Sequence, residues 1–174
     1  MSTLTVKELS APTGYDIKLA SGETLDLNSQ GSVTMPSGSV LQVVSYENIN
    51  TGNIETTSTT SVSTGISVSI FPKSASSLLY VEFISSMYHA PTAAAAMALR
   101  FQRDSTVIGG SYSGGYIHHS GENTYGSHAA SMVATSNSTS STTFEMMFRV
   151  TTTANMRLVH SNGSYMIKVT EIAG

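Results

Sequence analysis

The sequence predicts an all-β protein, with an N-terminal region of short strands followed by a jelly-roll-like β-sandwich. The 174 residues include 30 Ser and 22 Thr; these hydroxyls compete with helical hydrogen bonds, and β-branched Thr favours strands. Apolar and polar residues alternate over several segments, as expected of strands with one buried face. Turns rich in Gly, Ser and Asn separate these segments at short intervals.

Residues 1–45 contain pairs of apolar residues spaced two apart and separated by Gly and Ser. The pairs are Leu4/Val6, Ile17/Leu19, Leu25/Leu27 and Val33/Met35, followed by Val40 to Val44. Strands this short bury too little surface to be stable within one chain. Three copies supply each other's missing core in a trimeric β-stalk, whereas an arm lying over the sandwich is the alternative.

Residues 46–174 form the predicted sandwich domain. The polar segment 48–60 is expected to be a loop or linker, and the alternation from Val62 to Ile70 is the clearest half-buried strand. Asn162-Gly163 predicts a type I′ hairpin turn between the last two strands. The other predicted strands are Leu78 to Ser86, Ala93 to Arg103, Thr106 to Ile108, Ser131 to Thr135, Thr143 to Thr151, Met156 to His160 and Tyr165 to Ile172.

The Ala-rich segment from Ala93 to Arg103 has high helix propensity. It is nevertheless predicted to be a strand, because Asp104-Ser105 resembles a hairpin turn and apolar alternation resumes directly after it. Alanines also suit a strand that packs closely on its neighbour.

The charged residues exclude several function classes. Eight basic and eleven acidic residues give a net charge of -3, and the absence of Lys or Arg runs argues against nucleic-acid binding and a polybasic membrane patch. The chain has no Cys, which excludes disulfides and thiolate metal sites. No apolar run has the length of a bilayer span, and the N-terminus lacks a secretory signal, so we expect no membrane insertion.

The sequence carries no catalytic fingerprint. The segment Gly110-Ser-Tyr-Ser-Gly114 has Tyr112 at its centre, so it is not the Gly-x-Ser-x-Gly elbow of hydrolases. Acidic residues occur singly, without a carboxylate pair for glycosidic chemistry. We therefore predict a protein that is not an enzyme and uses no cofactor, with a glycan depolymerase as the alternative.

The segment 109–128 is a long run rich in Gly, Tyr and His, and long irregular segments are often functional. Tyrosine has an apolar ring face and a hydrogen-bonding tip, which suit a sugar ring or a protein interface. We predict receptor or interface contact here, with packing beneath the loop as the alternative. The candidate residues are Tyr112, Tyr116, His118, His119 and Tyr125.

Adjacent histidines on a strand point to opposite faces, so His118 and His119 cannot bind one ion from a single chain without a bulge. Copies of one of them could meet on a three-fold axis. We predict instead that the histidines make hydrogen bonds to neighbouring groups and that no metal is bound. The full set is His89, His118, His119, His128 and His160.

Five segments resemble one group of viral proteins. They are Leu4-Thr-Val-Lys-Glu-Leu with Gly14-Tyr-Asp-Ile-Lys-Leu-Ala-Ser-Gly-Glu-Thr-Leu-Asp-Leu, Gly38-Ser-Val-Leu-Gln-Val-Val44, Leu99-Arg-Phe-Gln-Arg-Asp-Ser-Thr-Val-Ile108 and Tyr165-Met-Ile-Lys-Val-Thr-Glu-Ile-Ala-Gly174. They are similar to short tail-fibre-like structural proteins of tailed bacteriophages, especially those of marine and cyanobacterial hosts. The similarity covers both ends and the middle of the chain.

The resemblance implies a virion protein, made in the host cytoplasm, that forms a homotrimer with a β-stalk and a sandwich head. It also implies that the N-terminal region attaches to other virion proteins and that the head contacts a host-surface glycan or protein. The N-terminal region is short for a fibre. This departure leaves capsid decoration, or a baseplate appendage, as the alternative.

Overall fold

The computed structural model describes residues 13, 21–22, 35–49, 52–92, 94–152 and 154–174. Residues Met35–Gly174 form a compact unit, and its regular elements are all β-strands. Among the described residues, no helix has the length and apolar character needed to cross a membrane. The apolar pairs before Met35, and the choice between stalk and arm, lie outside the described residues.

The described residues form eleven strands in two antiparallel sheets. The first sheet contains β1 (Val40–Ile49), β2 (Ile54–Thr56), β4 (Leu78–Ala90), β8 (Thr124–Thr135), β10 (Met156–Val159) and β11 (Ser164–Ile172). The second contains β3 (Val62–Ile70), β5 (Ala95–Arg103), β6 (Thr106–Ile108), β7 (Gly115–His119) and β9 (Thr142–Val150). The predicted domain boundary after residue 45 falls within β1.

Three strand positions in the sheets are each occupied by two successive strands. Strands β10 and β11 both run antiparallel to β4 on the side away from β8, with Arg157 facing His89 and Tyr165 facing Ser85. In the same way, β1 and β2 lie end to end beside β11 and β10. Strands β6 and β7 lie end to end beside β5.

Counting each end-to-end pair as one strand gives eight strands with a simple pairing rule. The first pairs with the eighth, the second with the seventh, the third with the sixth and the fourth with the fifth. An antiparallel ribbon rolled up on itself has this pairing, which is that of a jelly roll. The prediction of an all-β, jelly-roll-like sandwich is confirmed.

The core lies between the two sheets and follows the predicted alternation. On β9, Phe144, Met146, Phe148 and Val150 are all buried, because alternate side chains of a strand share one face. On β3, every second residue from Thr64 to Ile70 is likewise buried. The predicted inward faces of both strands are therefore confirmed.

The Ala-rich segment is a strand, as predicted. Strand β5 pairs with β9 on one side and with β6 and β7 on the other. Asp104 and Ser105 have φ angles of 46° and 70°, and Arg103 faces Thr106 across the turn. Two successive positive φ angles are the signature of a type I′ hairpin turn, so the predicted turn is confirmed.

Two local predictions are wrong. The segment 48–60 is not simply a loop, because β1 extends to Ile49 and β2 pairs with β10. Asn162-Gly163 does not join a hairpin: β10 and β11 lie end to end, and neither residue has a positive φ. Continued pairing with β4 outweighs the local turn preference. Instead of a hairpin, residues 160–163 form a short turn in which the Gly163 amide donates to the His160 carbonyl.

Candidate functional site

The segment 109–128, which carries the five predicted contact residues, is not one long irregular segment. Strand β7 pairs with β5, and β8 begins at Thr124. Residues 115–119 form a strand because Ile117 is buried in the core, whereas its neighbours on β7 are more exposed. The connections are therefore short, and we call residues 109–114, between β6 and β7, the tyrosine loop.

The tyrosine loop is tied to both sheets. The Gly114 amide donates to the Leu99 carbonyl at 3.1 Å, and the Phe101 amide donates to Ser113 Oγ at 2.9 Å. His128 Nε2, on β8 of the first sheet, lies 2.7 Å from the Gly114 carbonyl. At Gly115, φ is +101° and a Cβ would lie 2.8 Å from the His128 ring, so this position requires glycine.

Two tyrosine rings meet beside a guanidinium group. Tyr112 and Tyr116 are 52% and 50% exposed, and their rings pack edge to face with centroids 5.8 Å apart. Arg149 Nη2 donates to the Tyr112 hydroxyl at 3.3 Å, and its guanidinium carbon lies 5.7 Å from the Tyr112 ring centroid. The Tyr116 hydroxyl lies 3.2 Å from Thr151 Oγ1.

The second sheet fixes this arrangement. Tyr116 on β7, Ala98 on β5 and Arg149 on β9 are consecutive cross-strand neighbours, so their side chains share one face. Ala98 is only 2% exposed although it lies outside the core cluster. It therefore forms a small floor between the larger side chains. We call Tyr112, Tyr116, Arg149 and Thr151 the tyrosine surface.

Of the other candidate residues, His118 lies closest to this surface. It is exposed and follows Tyr116 by two positions on β7, so it points to the same face of the sheet. His118 on β7 is the cross-strand neighbour of Ala96 on β5. It extends the tyrosine surface along the strand.

His119 points the other way and joins the two sheets. Its Nε2 lies 2.6 Å from the Tyr88 hydroxyl on β4, and burial raises the pKa of Tyr88. The Tyr88 ring also lies across Gly126 on β8, where a Cβ would come within 2.5 Å of its hydroxyl oxygen. His119 thus links β7 of the second sheet to β4 of the first.

Tyr125 lies on the outer face of the first sheet, within a row of polar residues. Glu55, Arg157, His89 and Tyr125 are successive cross-strand neighbours on β2, β10, β4 and β8. Arg157 donates from Nε to Glu55 at 2.7 Å and from Nη1 to His89 Nδ1 at 2.8 Å. The His160 ring packs edge-on against both His89 and Tyr125.

His89 in this row is only 4% exposed. Burial lowers the pKa of His89, the charge of Arg157 and the nearby His160 lower it further, and the Asn123 side chain opposes them. The imidazole is therefore neutral near pH 7. Because Arg157 can only donate, Nδ1 accepts and Nε2 carries the proton.

The predicted contact residues therefore occupy three places: the tyrosine surface with His118, the inner contact of His119, and the row containing Tyr125. Within the described ranges, no three His, Cys, Asp or Glu side chains converge to hold a metal ion. The sequence prediction did not include Arg149. Its alternation with Phe148 and Val150 places it on the outer face of β9, but the neighbouring strands cannot be identified from that pattern.

No protein-family model matches the chain, and no curated protein matches it. Among solved structures, the chain is similar to the VP2 subviral particle of infectious bursal disease virus, with a TM-score of 0.45 and 12% identity over 85% of this chain and 36% of that one. The T13 IBDV viral particle is similar with a TM-score of 0.41 and 10% identity, over 87% of this chain and 40% of that one. The chain thus spans 36% to 40% of the length of these two structures.

Proposed function

We propose that this chain is a structural protein of a virus particle, of the tail-fibre type, which forms a homotrimer and contacts the host surface. The jelly-roll topology supports a role in assembly and binding, because viral capsid and lectin domains use this architecture. Because one fold serves many functions, the function depends on a particular site on it. The tyrosine surface is that site.

The observation that carries the proposal is the pair of half-exposed rings, Tyr112 and Tyr116, held edge to face on a paired strand and a tethered loop. Aromatic rings offer large contact area with few rotatable bonds, so little entropy is lost on binding. A hydrogen bond from Arg149 to Tyr112 and one between Tyr116 and Thr151 fix both phenol hydroxyls. Such a preorganised platform suits recognition of a sugar or protein surface.

Trimer formation is supported by the outer face of the first sheet. Val43, Thr170, Tyr80 and Val133 form one row across β1, β11, β4 and β8, and both valines are exposed. Leu78 is also exposed on this face of β4, and so is Ile84, which lies beyond a polar row that contains the Lys168–Glu82 ion pair. Apolar patches of this kind mark interaction surfaces, and we assign this one to subunit contacts, with residues 1–45 attaching the trimer to other virion proteins.

Capsid decoration is the second candidate, favoured by the same exposed apolar face. A flat sheet face of this kind could equally lie on a capsid shell. Electron microscopy of whole particles separates the two roles. Density for this protein on the tail supports the fibre role, whereas density over the capsid lattice supports decoration.

The experiment for the proposed function compares particles that carry the double substitution Tyr112→Ala/Tyr116→Ala with unmodified particles. We expect adsorption to host cells to fall about fivefold, since the aromatic contact made by the pair contributes on the order of 1 kcal/mol beyond area burial. Tyr46→Ala is the matched control, because Tyr46 is similarly exposed but lies on β1. Light scattering should give three chains per assembly for all variants. Unchanged adsorption, or a monomeric mass, would refute the proposal.

A further inference from the structure

Two arginines on the outer face of the second sheet have no carboxylate partner among the residues that the structure describes. The ion pairs among the described residues are made by Arg103, Arg157 and Lys168. Arg149 donates instead to the neutral Tyr112 phenol. The Nε of Arg100 is buried and makes no hydrogen bond.

The two guanidinium groups belong to one surface. Arg149 faces Ala98, and Arg100 follows Ala98 by two positions on β5, so both arginines lie on the same face of the sheet as diagonal neighbours. Diagonal neighbours in a sheet are about 7–8 Å apart. Glu145 shares this face of β9 and is the other diagonal neighbour of Arg100. Its carboxylate accepts a hydrogen bond from Ser63, and the two arginines together with Glu145 leave one net positive charge on this face.

This local positive charge contrasts with the chain as a whole, which has a net charge of -3. General attraction to polyanions is therefore not expected from the molecule. An anion bound here would be held by the specific arginines. Arg149 has five N–H donors and uses one on Tyr112, which leaves donors for a ligand.

We infer that the tyrosine surface together with Arg100 binds an anionic saccharide, a sugar that carries a carboxylate or sulfate group. The apolar face of the sugar packs on Tyr112 and Tyr116, and the anion lies between Arg149 and Arg100. A guanidinium group matches such anions with two parallel hydrogen bonds. This inference rests on the proposed host-contact function and specifies its ligand.

The dimensions favour a saccharide over an acidic protein segment. The row from β7 through β5 to β9 spans two strand spacings, about 10 Å, which is the length of one or two sugar rings. Stable protein interfaces require about 800 Å² on each partner. Ala98 is small and lies between the larger Tyr116 and Arg149 side chains, which leaves space above it for a sugar ring.

The test measures binding of the whole 174-residue chain to immobilised alginate (carboxylated), dextran sulfate (sulfated) and neutral dextran by biolayer interferometry. We expect binding to one or both anionic polymers and none to neutral dextran, weakening as NaCl is raised. Arg149→Gln and Arg100→Gln should each weaken binding about tenfold. Arg149→Lys should restore part of it, and Lys73→Gln, which removes an exposed charge elsewhere, should leave it unchanged.

Three results would overturn the inference: equal binding to neutral dextran, no loss in the two glutamine variants, or tighter arginine-dependent binding to poly-glutamate peptide. Circular dichroism checks that each variant is folded. The proposed function fails separately, when Tyr112→Ala/Tyr116→Ala leaves adsorption unchanged. If adsorption needs the tyrosines but not the arginines, the host-contact role is supported and the anionic ligand is refuted.

Discussion

The phenol ring of Tyr125 lies face to face with the imidazole of His89, with centroids 4.3 Å apart and planes 10° apart. The same imidazole accepts a hydrogen bond from Arg157 in its plane. Tyr125 therefore covers a buried, neutral histidine at one end of the first sheet. This gives Tyr125 a packing role separate from that of the tyrosine surface.

The first prediction concerns pH. The folded state holds the pKa of His89 below its usual 6.5, so the unfolded chain binds a proton more readily between the two values. Stability should therefore fall as the pH decreases through 6.5, and this contribution should level off below the folded pKa. Thermal unfolding between about pH 8 and pH 5 should give a declining Tm, with a shallower decline for His89→Gln.

The shifted carboxylates Glu55 and Glu171 do not disturb this window. A hydrogen bond from Arg157 lowers the pKa of Glu55. Burial alone would raise the pKa of Glu171, but the hydrogen bonds that this carboxylate accepts outweigh burial, and the pKa is lowered. The stabilisation that these two carboxylates give the folded state is present above pH 4.5 and is lost only as the pH falls through their folded-state pKa values. Parallel pH profiles for the chain and His89→Gln would show that His89 has no such role.

The second prediction concerns Glu171, which is fully buried. It accepts hydrogen bonds from Gln42 Nε2 at 2.6 Å and from the Lys73 and Ser74 amides at 2.7 and 3.2 Å. Glu171→Gln places an amide NH₂ among donors, and we expect a loss of about 2 kcal/mol in the free energy of unfolding. Urea titration measures it, with exposed Glu47→Gln as control. Equal stability of the two variants would contradict this role.

The third prediction concerns the turn at Asp104-Ser105. Ser105 has a φ of 70°, which glycine adopts without the steric cost of a Cβ. Ser105→Gly should stabilise the protein by about 0.5 kcal/mol, and Ser105→Val should destabilise it. The midpoints of urea unfolding compare the variants. A higher midpoint for valine than for glycine would be incompatible with the type I′ turn.

The fourth prediction concerns Gly126 and Tyr88. A methyl group at Gly126 would collide with the Tyr88 ring, so Gly126→Ala should cost about 2 kcal/mol. Removing the ring in Gly126→Ala/Tyr88→Ala should relieve the collision, giving a favourable coupling energy in a double-mutant cycle. Gly121→Ala, where the added atom makes ordinary contact, is the control. Purely additive losses would argue against this contact.

The sequence predicts the strands well where local pattern and packing agree. The alternation of Phe144, Met146 and Phe148 identifies β9 and its buried face, because period-two alternation follows from backbone geometry alone. Asp104-Ser105 identifies a turn because apolar alternation resumes directly after it, from Thr106 to Ile108. These features depend on near neighbours in the chain.

Long-range pairing explains what sequence analysis missed. Asn162-Gly163 has the composition of a hairpin turn, but β10 and β11 both pair with β4, one after the other along it, and not with one another. Tyr125 meets His89 only because β8 lies beside β4. Arg149 joins the tyrosines through the shared neighbour β5. None of these pairings follows from local alternation.

The end-to-end strand pairs have an evolutionary consequence. At 109–114, between β6 and β7, and at 160–163, between β10 and β11, the chain leaves the sheet and rejoins it beside the same neighbouring position. Residues can therefore be inserted or exchanged there without shifting the register of any strand, and surface loops tolerate such changes. The tyrosine loop occupies one of these sites, and Ser113 and Gly114 anchor it to the sheets. The exposed positions Ser111 and Tyr112 can therefore be exchanged for other residues, and the contact surface altered, while the sandwich stays the same.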